Sequence, residues 1–300
     1  MSDLPTVLFI GVGHMGGPMA HNLLRGRVSL AVSDVSEEAL APFRERGLPV
    51  ATRSAELPGE VVITILPTDV QVREAVLGEG GALTGSVKRR TLIDMTSAAP
   101  TPTKQLATEL AQRGIEMIDA PVSGGVPRAK TGELTAMVGG DAAVVERYRP
   151  LLAHMCKNVR HVGTVGAGDT VKSLNNFLSA VALWASSEAL LIGARAGLDP
   201  ATLVDVWKTS TATSHAVQHK IPAAVLPRTF DYGFQMGLMA KDLGIAARLA
   251  RELDVPAPIL ASTEEHYLLA REAMGERVDF TEVLLLLERW AKFEVPKVAS

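Results

Sequence analysis

Val7-Leu8-Phe9-Ile10-Gly11-Val12-Gly13-His14-Met15-Gly16, continued by Gly17-Pro18-Met19-Ala20-His21-Asn22-Leu23-Leu24, then Val28–Val32 and Asp34, is the stretch that decides the fold. Val7–Ile10 is a short apolar run of the kind that makes a buried strand. It runs directly into the pattern G-x-G-x-x-G, and a helical stretch follows. Each glycine has a mechanical task. Gly11 permits a tight turn out of the strand, Gly13 lets backbone approach a pyrophosphate without a Cβ in the way, and Gly16 lets the helix pack closely on the strand. Val12, His14 and Met15 complete the loop, and the helix start offers N–H groups and partial positive charge to phosphates. Asp34 lies 18 residues after Gly16, at the end of a second apolar run. There a carboxylate accepts hydrogen bonds from the adenosine ribose hydroxyls. A carboxylate at that place also repels the extra phosphate of NADP, and the next residue is Val35, not Arg. The pattern therefore favours NAD.

Outward from this unit, apolar runs alternate with helical ones up to about residue 163. The strand-like runs are Val7–Ile10, Val28–Val32, Val61–Leu66, Thr91–Met95, Ile115–Ile118, Leu134–Val138 and Val159–Val162. Helical stretches such as Ser36–Arg46, Val70–Leu77 and Thr103–Arg113 separate them. Such alternation predicts a mostly parallel sheet with helices on both faces. Ligands collect at the carboxyl ends of such strands, where Leu66-Pro67-Thr68, Thr96-Ser97 and Asp119–Gly125 stand.

Past residue 163 the pattern changes. Gly163-Thr164-Val165-Gly166-Ala167-Gly168 opens a periodic run from about Asp169 to Ala196, with Gly197 as its stop. At roughly 28 residues this helix would be about 42 Å long, enough to join two domains. Asp199-Pro200 caps the next helix, and further helices are expected at about 200–208, 235–253, 258–274 and 279–293. The expected architecture is α/β: a Rossmann-like dinucleotide-binding domain over 1–163 and an all-α domain over 164–300, joined by the long helix.

Composition narrows the function classes. The chain of 300 residues is 47% hydrophobic but only 4% aromatic, so Ala, Val and Leu fill its core. A net charge of −3 with no basic block argues against a nucleic-acid partner. The single cysteine, Cys156, has no partner for an internal disulfide and reads as a small buried hydrophobe in a reducing compartment. Met1–Pro5 is too short and polar for a secretory leader, so a cytoplasmic location is expected. The apolar stretch Phe177–Ala196 is broken by Ser186-Ser187-Glu188 and Arg195, and reads as a buried helix with no membrane partner.

Lys172 and Asn176 stand i, i+4 at the start of the long helix, with Asn175 beside them and Phe177, Leu178, Ala180, Val181 and Leu183 following. Their spacing puts both on one face. Taken alone, this fits a surface lysine plus an asparagine bonding a neighbouring helix as well as it fits a catalytic pair.

Four ordered segments resemble the β-hydroxyacid dehydrogenase family, the family of 3-hydroxyisobutyrate dehydrogenases and tartronate semialdehyde reductases. They are Phe9–Ala20, Asp119-Ala120-Pro121-Val122-Ser123-Gly124-Gly125, Gly163–Asn176 with its G-x-x-G-x-G-x-x-x-K-x-x-N-N pattern, and Met239-Ala240-Lys241-Asp242-Leu243. The resemblance implies NAD-dependent interconversion of a small 3-hydroxy acid and its semialdehyde, with Lys172 as general acid and base and Asn176 orienting it and the substrate. It implies Ser123, Gly124 and Gly125 around the substrate carboxylate. It places Leu66, Pro67, Gln71, Thr96 and Lys241 at the cofactor, beside the loop residues and Asp34. For Thr96 a strand-end hydrogen bond, and for Lys241 a solvent-facing helix position, are the structural alternatives. The apolar helices suggest a homodimer or homotetramer.

One segment departs from the family. Where a Ser-Ser-Gly-type stretch is common near the substrate, this chain has Thr209-Ser210-Thr211-Ala212-Thr213-Ser214, which leaves the exact hydroxyacid open. Arg228–Phe234 is an unassigned candidate for shaping the pocket. His215 and His219 stand i, i+4, but no carboxylate or cysteine lies between them, and no metal site is expected. Two rival readings are an NADP-dependent imine or carbonyl reductase and a non-enzymatic NAD-binding protein. Asp34 opposes the first, and the presence of Lys172 opposes the second.

Overall fold

The computed structural model describes residues 4–298; Met1–Asp3, part of the stretch read for a leader, lie outside the described residues. The chain packs as two compact units, Met1–Lys172 and Ser173–Ser300.

In the first unit β1 (Val7–Ile10), β2 (Leu30–Ser33), β3 (Val50–Ala51), β4 (Val61–Thr64), β5 (Thr91–Asp94) and β6 (Glu116–Asp119) are all parallel, in the order 3-2-1-4-5-6. Alternation along β1 shows why the run is apolar throughout. Val7 and Phe9 enter one core cluster, and Leu8 and Ile10 enter the other, so both faces of the sheet are covered. Helices α1 (Gly16–Arg25), α2 (Glu37–Arg44), α3 (Asp69–Leu77) and α4 (Pro100–Gln112) supply the crossovers.

The sheet continues past β6 with a reversal that the sequence reading lacks. A two-residue strand β7 (Val122–Ser123) pairs antiparallel with β8 (Leu134–Gly139), and β8 meets β6 antiparallel at Asp119 and Gly139. Strand β9 (Cys156–Gly163) runs parallel to β8, longer than the expected Val159–Val162. Two helices also join the expected set, α5 (Gly125–Thr131) and α6 (Ala142–Leu152). The other expected elements stand within a few residues of their sequence positions.

Helix α7 (Ala167–Arg195) starts in the first unit and continues in the second. It is long and apolar enough to cross a membrane by length and composition, and 44% of its most apolar window is buried. Helices α8 (Pro200–Thr209), α9 (Met236–Glu252), α10 (Pro258–Met274) and α11 (Val283–Ala291) follow. Between α8 and α9 lies a π-helix over Ala216–Val225, with Pro222 inside it. Among the described residues the second unit has no strand, only a single bridge between Gln235 and Asp279. Its core gathers Leu183, Trp184, Leu243, Tyr267, Phe280 and Leu287.

Candidate active site

The glycine loop has the geometry its sequence implies. Gly11 has φ +92°, and a Cβ there would stand 2.3 Å from the Ile65 carbonyl oxygen. On Gly16 a Cβ would stand 1.8 Å from the Gly11 carbonyl oxygen, so the first turn of α1 sits directly on the strand-to-loop turn. Around Gly13 the opposite holds: a Cβ would meet nothing within 4 Å, and Gly13 and His14 are exposed. The N-cap of α1, Met15, makes no side-chain capping bond. This open cradle at an uncapped helix start fits a pyrophosphate. Asp34, just past β2, accepts from Val12 N at 2.8 Å through Oδ2 and from Ser36 N at 2.9 Å through Oδ1. The carboxylate thus fixes the loop, and each of its oxygens keeps acceptor capacity for ribose hydroxyls. Val35 is 91% exposed.

Strand ends β4 and β5 bring Leu66 and Thr96 together. Leu66 N donates to Thr96 Oγ1 at 3.0 Å, and Thr96 N donates to Asp94 Oδ1 at 3.0 Å. Thr96 is buried and makes the strand-end bond named above as its structural alternative. Thr64 Oγ1 also donates to Asp94 Oδ1, at 2.9 Å. Burial nevertheless pushes the Asp94 carboxyl up to about 6, against those hydrogen bonds. Pro67 is exposed. Gln71 is exposed as well, in the first turn of α3, where its amide N donates to the capping Thr68 Oγ1 at 3.3 Å.

Ser123 ends β7, and Gly124 (φ +137°) and Gly125 (φ +66°) turn the chain into α5. A Cβ on Gly124 would stand 2.9 Å from Arg128 Cβ, so the turn is closed to other residues. Ser123 is half-buried.

Asp119, at the head of the same segment, works elsewhere. It is buried, and its carboxylate accepts from Gly166 N at 2.7 Å and Asp169 N at 3.0 Å. It therefore caps the start of α7 from 47 residues away. This explains a glycine in the loop: a Cβ on Gly168 would meet the Met137 carbonyl oxygen at 2.3 Å and Asp119 Oδ2 at 2.8 Å. Asp169 is buried too. Its Oδ1 accepts from Ala98 N at 3.3 Å, and its Oδ2 lies 2.7 Å from Thr103 Oγ1. Burial holds both carboxyls above the usual range, Asp169 the further, with Asp119 and Asp94 adding repulsion.

Lys172 follows one turn after Asp169 and is only 7% exposed, so it is not a surface lysine. In the second unit Asn176 is also buried. Its Nδ2 donates to Asp242 Oδ2 at 2.5 Å. Asp242, 2% exposed, has its other oxygen 3.1 Å from Lys241 Nζ. Lys241 is therefore not simply solvent-facing. The quoted Lys241-Asp242-Leu243 segment contained Asp242, but nothing in its spacing tied it to Asn176.

The rings of His215 and His219 lie with centroids 4.6 Å apart and planes tilted by 48° where the π-helix begins. Among the described residues no group of three or more metal-ligating side chains occurs. Cys156 is buried, and burial pushes its thiol up to about 12, as for a thiol that packs as a small hydrophobe.

Comparison with known proteins covers almost the whole chain. Residues 6–163 match the family described as the NAD binding domain of 6-phosphogluconate dehydrogenase. Residues 166–287 match the family described as NAD-binding of NADP-dependent 3-hydroxyisobutyrate dehydrogenase. A 2-(hydroxymethyl)glutarate dehydrogenase from Eubacterium barkeri is 36% identical, over 94% of this chain and 94% of its own. A 3-hydroxyisobutyrate dehydrogenase from Pseudomonas aeruginosa is also 36% identical, over 92% of this chain and 96% of its own. The solved structure of Mycobacterium tuberculosis 3-hydroxyisobutyrate dehydrogenase with L-serine superposes with a TM-score of 0.85 at 31% identity, covering 95% of this chain and 99% of that one.

Proposed function

Because the chain belongs to the β-hydroxyacid dehydrogenase family, we propose that it is an NAD-dependent oxidoreductase that interconverts a small 3-hydroxy acid and its semialdehyde. The observation that carries this reading is the burial of Lys172 and Asn176 one turn apart on α7. A lysine is seldom fully buried unless it is paired, and here the buried lysine shares its helix face with the buried Asn176.

Gly11–Gly16 hold the pyrophosphate of the dinucleotide and Asp34 its adenosine ribose. The dinucleotide supplies the two-electron redox chemistry when bound. In oxidation the Lys172 amine takes the proton from the substrate hydroxyl oxygen. In reduction its ammonium returns that proton to the carbonyl oxygen. Asn176 orients the substrate and is itself braced by Asp242. The Ser123 hydroxyl and the Gly124 N–H bind the substrate carboxylate, and the turn from Gly124 to Gly125 keeps bulk away from it. The single, buried Cys156 supports a cytoplasmic site of action. Exposed Leu174, Leu178 and Ile192 on α7 support self-association as a homodimer or homotetramer.

The test is NAD-linked turnover over 3-hydroxyisobutyrate, glycerate, threonate and serine, each beside its carboxamide, with wild type and Lys172→Ala. The acids should exceed the carboxamides by roughly 10–150-fold, the range of a charge-assisted hydrogen bond. Lys172→Ala should lose about 10²–10⁴-fold in rate and keep NADH binding. Equal use of acid and amide would favour the neutral-carbonyl or imine reductase reading, and a mutant above about a tenth of the wild-type rate would remove Lys172 from the acid–base role.

A further inference from the structure

Three buried carboxyls, Asp94 on β5, Asp119 on β6 and Asp169 on α7, converge beneath the start of the helix that bears Lys172. Asp119 already meets the positive end of α7 by accepting from Gly166 N and Asp169 N. A second full negative charge against it, out of water, is costly. The hydrogen-bond inventory around Asp169 points the same way. Thr103 Oγ1 lies 2.7 Å from Asp169 Oδ2 and 3.1 Å from the Ala99 carbonyl oxygen, yet a threonine has a single hydroxyl hydrogen. One extra proton on Asp169 serves every contact at once.

We propose that Asp169 is a positioning residue for Lys172 and works as a neutral carboxylic acid. Its Oδ1 accepts from Ala98 N, its protonated Oδ2 donates to Thr103 Oγ1, and the Thr103 hydroxyl donates to the Ala99 carbonyl. That chain clamps the first turn of α7 to the start of α4, one helical turn before Lys172. The groups facing it are Asp94, Asp119 and Thr103; Lys172 follows on its own helix. Lys104 of α4 packs its exposed side-chain stem near Gly166. The role in positioning rests on the assignment of Lys172 as acid and base, whereas the protonation state does not.

The folded chain holds this proton more tightly than the unfolded chain. Stability therefore falls as pH rises past the unfolded carboxylate value, near 4, and the loss ends above the folded value. Asp169→Asn mimics the neutral acid, because its Oδ1 accepts and its Nδ2 donates. Thermal unfolding of the full chain should place this variant above wild type by about 2–4 °C or more at pH 7–8, with the gap closing near pH 4. Asp169→Ala, which removes the clamp, should lower kcat on the best acid of the panel about tenfold or more while Asp169→Asn keeps it within about twofold. Ionisation of Asp169 at alkaline pH would break the clamp and lower kcat/KM in wild type, and that fall should move to higher pH in Asp169→Asn, which has no such proton to lose. If Asp169→Asn is less stable than wild type at neutral pH and loses activity as Asp169→Ala does, Asp169 acts as a carboxylate and the proposal is overturned. A stability gain that follows pH as stated, with no kcat effect of Asp169→Ala, keeps the neutral acid but overturns its positioning of Lys172. Failure of the acid–base reading would show separately, as activity in Lys172→Ala.

Discussion

Replacing Asp242 by Ala should cripple the enzyme through Asn176. Asp242 Oδ2 takes the 2.5 Å bond from Asn176 Nδ2, and Oδ1 lies 3.1 Å from Lys241 Nζ. The carboxylate is 2% exposed, so water cannot readily replace it. A hydrogen bond to a charged group is worth about 1.5–3 kcal/mol, which converts to roughly 10–150-fold in kcat/KM if Asn176 must hold one orientation for the substrate. The assay is a double-mutant cycle with Asp242→Ala, Asn176→Ala and the pair, measured as kcat/KM on the best hydroxyacid at saturating NAD. Thermal unfolding of each variant separates activity from folding. Once Asn176 is gone, removing Asp242 should cost little more, and the coupling should approach the loss of the single mutants. Additive losses would refute the reasoning, because Asp242 would then act independently of Asn176.

The glycine loop gives a paired test. Gly16→Ala should destabilise the protein by about 2 kcal/mol or more, since its Cβ would strike the Gly11 carbonyl oxygen at 1.8 Å; Gly13→Ala should leave thermal stability unchanged, with nothing within 4 Å, and weaken NADH about tenfold or more in a fluorescence titration. Wild-type NADH affinity in Gly13→Ala would remove that backbone from the pyrophosphate site. Wild type should favour NAD over NADP in kcat/KM, and Asp34→Ser with Val35→Arg should move the preference toward NADP. That double variant should also lose overall rate, because the Asp34 carboxylate holds Val12 N; a wild type preferring NADP would contradict the assignment. Leu178→Glu, on the exposed face of α7, should reduce the mass seen in size-exclusion chromatography with light scattering; a mass unmoved from an oligomeric wild type would place the contact elsewhere.

What the sequence determined is what covalent spacing along one element can encode. The three glycines and their strand and helix stand at fixed offsets within 28 residues of Asp34, so the turn at Gly11 and the close packing at Gly16 were legible before any contact was known, whereas the hold of Asp34 on Val12 N was not. Strand and helix periodicity likewise marked the parallel sheet and the long α7, and the i, i+4 spacing put Lys172 and Asn176 on one face. Some of the misses had usable signals. Helix α6 carries an Asp141 cap and apolar residues at 144, 145, 148, 151 and 152, although Pro150 inside it obscures the period. Others had little. Helix α5 is seven residues long, strands β3 and β7 are two each, and the π-helix contains a proline that cannot donate to a regular ladder.

Only the tertiary structure decided the reversal at β7–β8 and the partners of the buried acids. Asp119 meets Gly166 across 47 positions, Asp169 meets Thr103 across 66, and Asp242 meets Asn176 across 66. No local period carries such pairings. They follow from packing, because each carboxyl taken out of water must find its donors wherever the layered elements bring them.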